Sequence, residues 1–384
     1  MKSVLDLGEI PLCDDLKDCR DDARCMKLYP INVHQCDSCK HCELSYKVDE
    51  SLIYSEYLYK SSDSLTLQEH FKGYFEDVNS FCTHKETKDL KCIDIGGNDG
   101  LCAKVFSDHG WEAHVLDPSP SINYCDKSII PHRGYLTKML AKEIVNQTRC
   151  FDLVVSNNCI ANIRDLNSFV ESLAILLKPG GIVSIETGYL PEQLKNMAIE
   201  MVNHEHYHYF SVESMKQLLH QHGITLIASS VNSSKGGCIR FIGINDADSK
   251  SQPLDSRTEH SHKVDDMAQI CTETMRLVLK NKQAIKELLL DKEVVAFGAC
   301  AGTTILTHIY ELQDAYSKIY DDNETRHNKY MPGSGACISD AKNWYQDPGE
   351  ICLNLAWRYG DMIRKNHSSS LPKDYPIIDI HHAK

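Results

Sequence analysis

The chain has 384 residues, 42% of them hydrophobic and 25% charged, values of a globular protein with a sizeable core and room for two or three domains. A net charge of −13 argues against nucleic acid as the main partner. No run of 18 apolar residues is present, so no membrane-spanning helix is expected, and the acidic start MKSVLDLGEIPLCDD does not read as a secretory signal. Of 17 cysteines, eleven are scattered singly through strand- and helix-like segments, as buried thiols in a reducing cytoplasm would be; the other six fall in the first 42 residues.

Residues 1–50 show little regular periodicity and read as a loop-rich, Cys-rich module. Apolar positions at helical spacing (Leu65, Leu67, Phe71, Tyr74, Phe75, Val78, Phe81) predict helix leading into a central domain. Strands are predicted at 91–95, 112–117, 151–156 and 181–187, alternating with helices, and at 224–230 and 238–244 as a closing hairpin. Residues 245–262 read as a polar connector and 263–290 as one long helix. VVAF, GACAG and TTILTHIYEL then repeat a strand, a glycine turn and a helix, followed by strands in KIYDDN and ICLNLAW. The expected class is α/β, with a cysteine-rich module at 1–60, a main parallel-sheet domain at 61–262 and a second Rossmann-like domain at 263–384.

The run KCIDIGGNDG at 91–100 is the most informative stretch. A buried strand enters a glycine turn, and a second strand ends on Asp117, an acid placed to accept from a ribose diol. The dinucleotide fingerprint needs glycines at the first, third and sixth positions; counting from Gly96 or Gly97, both frames fail. D-I-G-G-N-D-G instead resembles the first motif of S-adenosylmethionine (SAM) methyltransferases. The chemistry agrees: SAM has no pyrophosphate to cradle, but carries an ammonium and a sulfonium that Asp94 and Asp99 suit.

A second cluster, N-H-E-H-Y-H-Y-F-S at 203–211, packs histidines, a glutamate and tyrosines together, without the H-E-x-x-H spacing of helical zinc proteases. Around it a wider resemblance emerges. LDLGEIPL (5–12), C-D-S-C (36–39), Y-L-Y-K-S-S (57–62), N-N-C-I-A-N-I-R-D-L (157–166), H-E-H-Y-H-Y-F-S (204–211), K-G-G-C-I-R (235–240), G-A-C-A-G (298–302) and Y-M-P-G-S (330–334) occur in the order of similar segments in the SAM-dependent sugar C-methyltransferases. Those enzymes methylate C-3 of nucleotide-linked 4-keto deoxysugars.

The resemblance implies SAM at Asp94, Gly96, Gly97, Asn98, Asp117, Asn157 and Asn158, His206 as the base with Glu205 beside it, and Tyr57 or Tyr59 as an active-site tyrosine. It places Asn162, Asn203, His204 and Arg240 around the sugar, and structural zinc on a set including Cys36 and Cys39. The implied partner is a nucleotide-linked keto sugar in the cytoplasm, with no nucleic acid and no membrane; the oligomeric state stays open. Asn203 and Asn162 stand where such enzymes usually carry tyrosine and histidine, Gly302 where they often carry lysine, and the first zinc cysteine pair is missing. Those departures keep two alternatives open: methylation of another position or acceptor, such as oxygen, and a non-catalytic SAM- or sugar-nucleotide-binding protein.

Overall fold

The computed structural model describes residues 1–54, 60–82, 89–246 and 267–381. At the amino terminus are β1 (Lys2–Pro11), β2 (Leu28–Gln35) and β3 (Cys42–Leu44). The central strands are β4 (Lys91–Ile95), β5 (Glu112–Asp117), β6 (Ile129–Arg133), β7 (Phe151–Asn157), β8 (Leu177–Gly188), β9 (His208–Tyr209), β10 (Ile224–Asn232) and β11 (Cys238–Asn245). The last five are β12 (Val294–Phe297), β13 (Lys318–Asp321), β14 (Cys337–Asp340), β15 (Ile351–Asn354) and β16 (Ile377–Asp379).

Seven strands form the central sheet in the order β10-β11-β8-β7-β4-β5-β6. Five are parallel, and the β10–β11 hairpin adds antiparallel to β8. Strand order reverses between β4 and β7, so their carboxyl ends open the crevice where a doubly wound sheet binds ligands. Helix Leu65–Asn79 packs across the sheet, with Tyr74 donating from its hydroxyl to Ser184. Its start is set by Ser64, whose side chain accepts from the Leu67 amide.

The first fifty residues differ from expectation. Three antiparallel strands occupy much of the segment that reads as loop, and β9 from the histidine cluster completes a four-stranded sheet, β1-β2-β3-β9. The pattern hides because register shifts within β1 break the two-residue alternation of buried side chains. Strand β6 is likewise additional to the predicted set.

The carboxyl-terminal sheet is wholly parallel, β14-β13-β12-β15-β16, and follows helix Met267–Leu289. Leu5, Ile31 and Val33 of the amino-terminal sheet share one apolar core with Ile285, Ile305, Leu306 and Tyr310. The first and last parts of the chain therefore fold against each other. All 17 cysteines are unbridged. Among the described residues, no helix is long and apolar enough to cross a membrane.

Candidate active site

Strand β4 delivers Asp94 and then the glycine turn. Gly96 has φ +71, and its amide donates to the Leu116 carbonyl, locking the turn onto β5. A side chain at Gly97 would lie 2.6 Å from both Asp94 Oδ2 and Val115 Cγ2, so only glycine fits. Asn98, at φ +56, donates its amide to Asp117 Oδ2 at 2.9 Å; Asp117 Oδ1 accepts from the Ser119 amide. Asp94 is 2% exposed, and burial, then Asp117 and Asp99, push its carboxyl up to about 8.

Asp94 Oδ1, Asp99 Oδ1 and Asn157 Oδ1 are buried without a hydrogen-bond partner among the described residues. Three acceptors left bare at the strand ends around the reversal point need a donor-rich, cationic ligand. The ammonium and sulfonium of SAM meet that need, and the turn at Gly96–Gly97 leaves main chain uncovered beside them. Asn158, at φ +53, donates its amide to the Glu186 carbonyl, which ties the end of β7 to β8. Asn162 closes the turn Ile160–Asn162, next to Cys159, whose Sγ lies against the Gly96 position.

A cavity of about 970 Å³ is lined by loop and helix residues from the amino-terminal, central and carboxyl-terminal parts of the chain. Its walls include Cys13 and Lys17 from the amino-terminal part, Lys60 and Asp63 before helix Leu65–Asn79, Glu205, and Arg326 and Lys329 from the carboxyl-terminal part. The wall at Lys60–Ser64 is tied to the glycine turn: the Ser61 amide donates to Asn98 Oδ1 and the Ser62 amide to Asp99 Oδ2, each at 3.0 Å. This link between the Y-L-Y-K-S-S segment and the cofactor turn joins positions far apart in the chain. Tyr57 and Tyr59 lie outside the described residues.

Within the histidine cluster, Asn203 is spent on shaping the loop. Its Oδ1 accepts from the Glu205 amide at 3.0 Å and its Nδ2 donates to the Glu200 carbonyl. His204 is 1% exposed and faces the amino-terminal sheet, where Nε2 donates to the Tyr29 carbonyl. His206 Nδ1 donates to the Met201 carbonyl at 2.8 Å, which fixes the tautomer and leaves the lone pair on Nε2. Burial lowers its pKa to about 4. The group orienting the imidazole is thus Met201, not Glu205. Glu205 lines the cavity, and burial, then Asp14, raise its carboxyl to about 7, with Lys235 pulling the other way.

Arg240 is placed elsewhere than its expected role beside the sugar. Its guanidinium donates through Nε (3.0 Å) and Nη2 (2.8 Å) to Glu186 and through Nη1 to Asp77, stacked 4.3 Å from the Tyr74 ring centroid. Glu186 is fully buried, and His70 and Asn232 also donate to it. This internal network braces β8 and β11 from beneath. Lys235, a half-buried cation at φ +48 beside Glu205, had only its place in K-G-G-C-I-R to mark it. Gly302 also has a local reason: a side chain there would meet Glu200 Cγ at 2.6 Å, and Glu200 pairs with Arg358.

The expected thiolate zinc set does not assemble. Cys36 and Cys39 form one tight turn, in which the Cys36 amide donates to the His41 carbonyl. Backbone amides of Cys39 and Ser38 lower the Cys36 pKa, but no third His, Cys, Asp or Glu converges on the pair among the described residues. Four ligands are the rule for structural zinc, so this pair does not fit it.

The sheet order, the glycine turn and its bare acceptors define a SAM-dependent methyltransferase. A family model described as a methyltransferase domain matches residues 67–229, and one described as a C-methyltransferase C-terminal domain matches 233–375. The C-methyltransferase NovU of Streptomyces niveus is 24% identical over 381 residues, covering 96% of this chain and 90% of NovU. The chain is a SAM-dependent C-methyltransferase. A ubiquinone biosynthesis O-methyltransferase of Bradyrhizobium sp. (strain ORS 278) is 25% identical over 142 residues, 35% of this chain and 55% of that protein. A SAM-dependent methyltransferase structure from Mesorhizobium loti, 13% identical, covers 45% of this chain and 99% of its own, with a TM-score of 0.35.

Proposed function

We propose that the enzyme methylates C-3 of a nucleotide-diphosphate-linked 4-keto deoxysugar, through an enolate formed in the cavity beside Glu205. The reading rests on one observation: the segment Lys60–Ser64 is both a wall of the cavity and the partner of the cofactor turn. A sugar in the cavity and a methyl donor at the turn are therefore neighbours. The cavity volume suits a nucleotide sugar. Arg326 and Lys329 supply cations for a diphosphate on the carboxyl-terminal wall.

Bound at Asp94, Asn98, Asp117 and Asn157, SAM supplies an electrophilic methyl group. The protein's own residues make the carbon nucleophilic. A ketone at C-4 acidifies the C-3 proton. Glu205, on the cavity wall and poised near neutrality, is the acceptor for that proton. His206, with its lone pair on Nε2, is the neighbouring acceptor, and the Lys235 ammonium favours the negative charge that develops. The NovU match supports carbon as the site of attack.

The test is incubation with SAM and a nucleotide-linked 4-keto deoxysugar in D₂O, followed by mass spectrometry. The expected result is one added methyl group, with deuterium entering at C-3 when SAM is withheld. Glu205→Gln is expected to lose about 10²- to 10⁴-fold in kcat and to stop the exchange. Methylation on oxygen with no exchange would overturn the enolate route. Full exchange in Glu205→Gln, lost instead in His206→Asn, would move the base to the imidazole.

A further inference from the structure

We propose that His41, Glu43 and His208 form a site for one divalent transition-metal ion of the zinc class, clipping the loop that carries Glu205 to the amino-terminal sheet. The site is separate from the Cys36–Cys39 pair. It is the only place among the described residues where three or more potential ligand atoms from His, Cys, Asp or Glu lie within 4.8 Å of one another.

Sheet register creates it. Glu43 on β3 pairs directly with His208 on β9, and His41 sits just before β3. His41 Nε2 is 2.9 Å from His208 Nδ1, and that nitrogen is 3.6 Å from Glu43 Oε2. An ion with bonds of about 2.0–2.2 Å holds tetrahedral neighbours about 3.4 Å apart, so the His41–His208 and His208–Glu43 separations need change only by tenths of an ångström. Two imidazoles and one carboxylate favour zinc, cobalt or nickel over magnesium or calcium. With three protein ligands, one position remains for water. The Phe210 ring packs against the His41 imidazole, with ring centroids 4.9 Å apart.

A fourth group occupies the place of a cation. Lys47 Nζ donates to Glu43 Oε2 at 2.8 Å and lies 3.3 Å from His208 Nε2. An ammonium can only donate, so His208 now keeps its proton on Nδ1, facing His41. Metal binding moves that proton to Nε2, frees Nδ1 to ligate, and turns Lys47 out toward solvent. No proton is gained or lost. The ion then replaces one weak cation between Glu43 and His208 with a stronger one that also takes His41. Because β9 begins three residues after Glu205 and two after His206, fixing His208 fixes the loop bearing the proposed base.

The experiment is titration of the full-length, chelator-treated protein with Co²⁺, followed by absorption spectroscopy and calorimetry. One equivalent is expected to bind with ligand-field bands of low coordination number and no thiolate-to-cobalt charge transfer. His41→Gln and His208→Gln should each weaken binding roughly a hundredfold or more, since even outer-shell partners cost 10- to 100-fold. Lys47→Met removes no ligand, keeps the stem, and should tighten binding at least about tenfold by deleting the competing charge. A thiolate band at the first equivalent, no binding at all, or affinity unchanged in the histidine variants each overturns the site. So does weaker binding in Lys47→Met, which would make the cluster a hydrogen-bonded relay. That arm decides the matter even where a histidine variant does not fold.

Discussion

Asp94 is expected to be mostly protonated at neutral pH in the cofactor-free protein, and cofactor binding should expel that proton. Its carboxyl is raised to about 8 by burial, then by Asp117 and Asp99. At pH 7 most of the molecules should therefore be protonated there. A ligand bearing an ammonium and a sulfonium favours the carboxylate, so binding SAM at pH 7 should release close to one proton. Affinity should rise by up to about tenfold per pH unit toward pH 8 and then level off. Removing one member of a buried charged pair costs roughly 2–5 kcal/mol, while ionising Asp94 at pH 7 gives back about 1.4 kcal/mol. Asp94→Asn should thus lose roughly 1–4 kcal/mol of SAM affinity, about five- to 800-fold.

The same substitution should leave the cofactor-free fold intact, because asparagine and protonated aspartate are both neutral. The linkage sign agrees: a carboxyl raised by burial lets stability fall as pH climbs from the ordinary carboxylate range toward 8, and asparagine removes that fall. The assay is calorimetry of SAM binding in phosphate and in Tris, whose ionisation enthalpies differ. Equal apparent enthalpies in the two buffers between pH 6 and 8, or unchanged affinity in Asp94→Asn, would mean that Asp94 does not release a proton to the cofactor's charge.

Three further outcomes are expected. Gly97→Ala forces a methyl against Asp94 Oδ2 and Val115 Cγ2 at 2.6 Å, so SAM binding measured by calorimetry should disappear and the thermal midpoint should fall. Arg240→Met leaves the fully buried Glu186 with only His70 and Asn232, and should cost about 3–5 kcal/mol in denaturant unfolding. Lys235→Met removes the cation that lowers the Glu205 pKa, so the acid limb of the pH–rate profile should move to higher pH; an unmoved limb separates Lys235 from the proposed base.

Local chemistry made the cofactor half legible. A buried strand, a turn that only glycine can make and an acid closing the next strand all lie within 27 residues of contiguous sequence, 91–117, and the structure keeps them together. The failure of the dinucleotide spacing already separated SAM from NAD. The long helix and the β10–β11 hairpin were also legible, because period and turn residues agree there. The amino-terminal sheet was not. Register shifts break its alternation, and β9 joins it from more than 160 residues away.

The substrate half depended on such long-range closures. The family resemblance marked Arg240 and His204 as groups around the sugar, but only packing reveals that Glu186, Asp77 and the Tyr29 carbonyl already hold them. Cysteine spacing drew attention to Cys36 and Cys39, whereas strand pairing converged two histidines and a glutamate. What the linear chain determined was the chemistry set by neighbours in sequence: the fold class and the cofactor turn. Which side chains face the cavity, and which are spent on holding it open, was decided in three dimensions, because a polar group's availability depends on partners that only the folded chain brings within bonding distance.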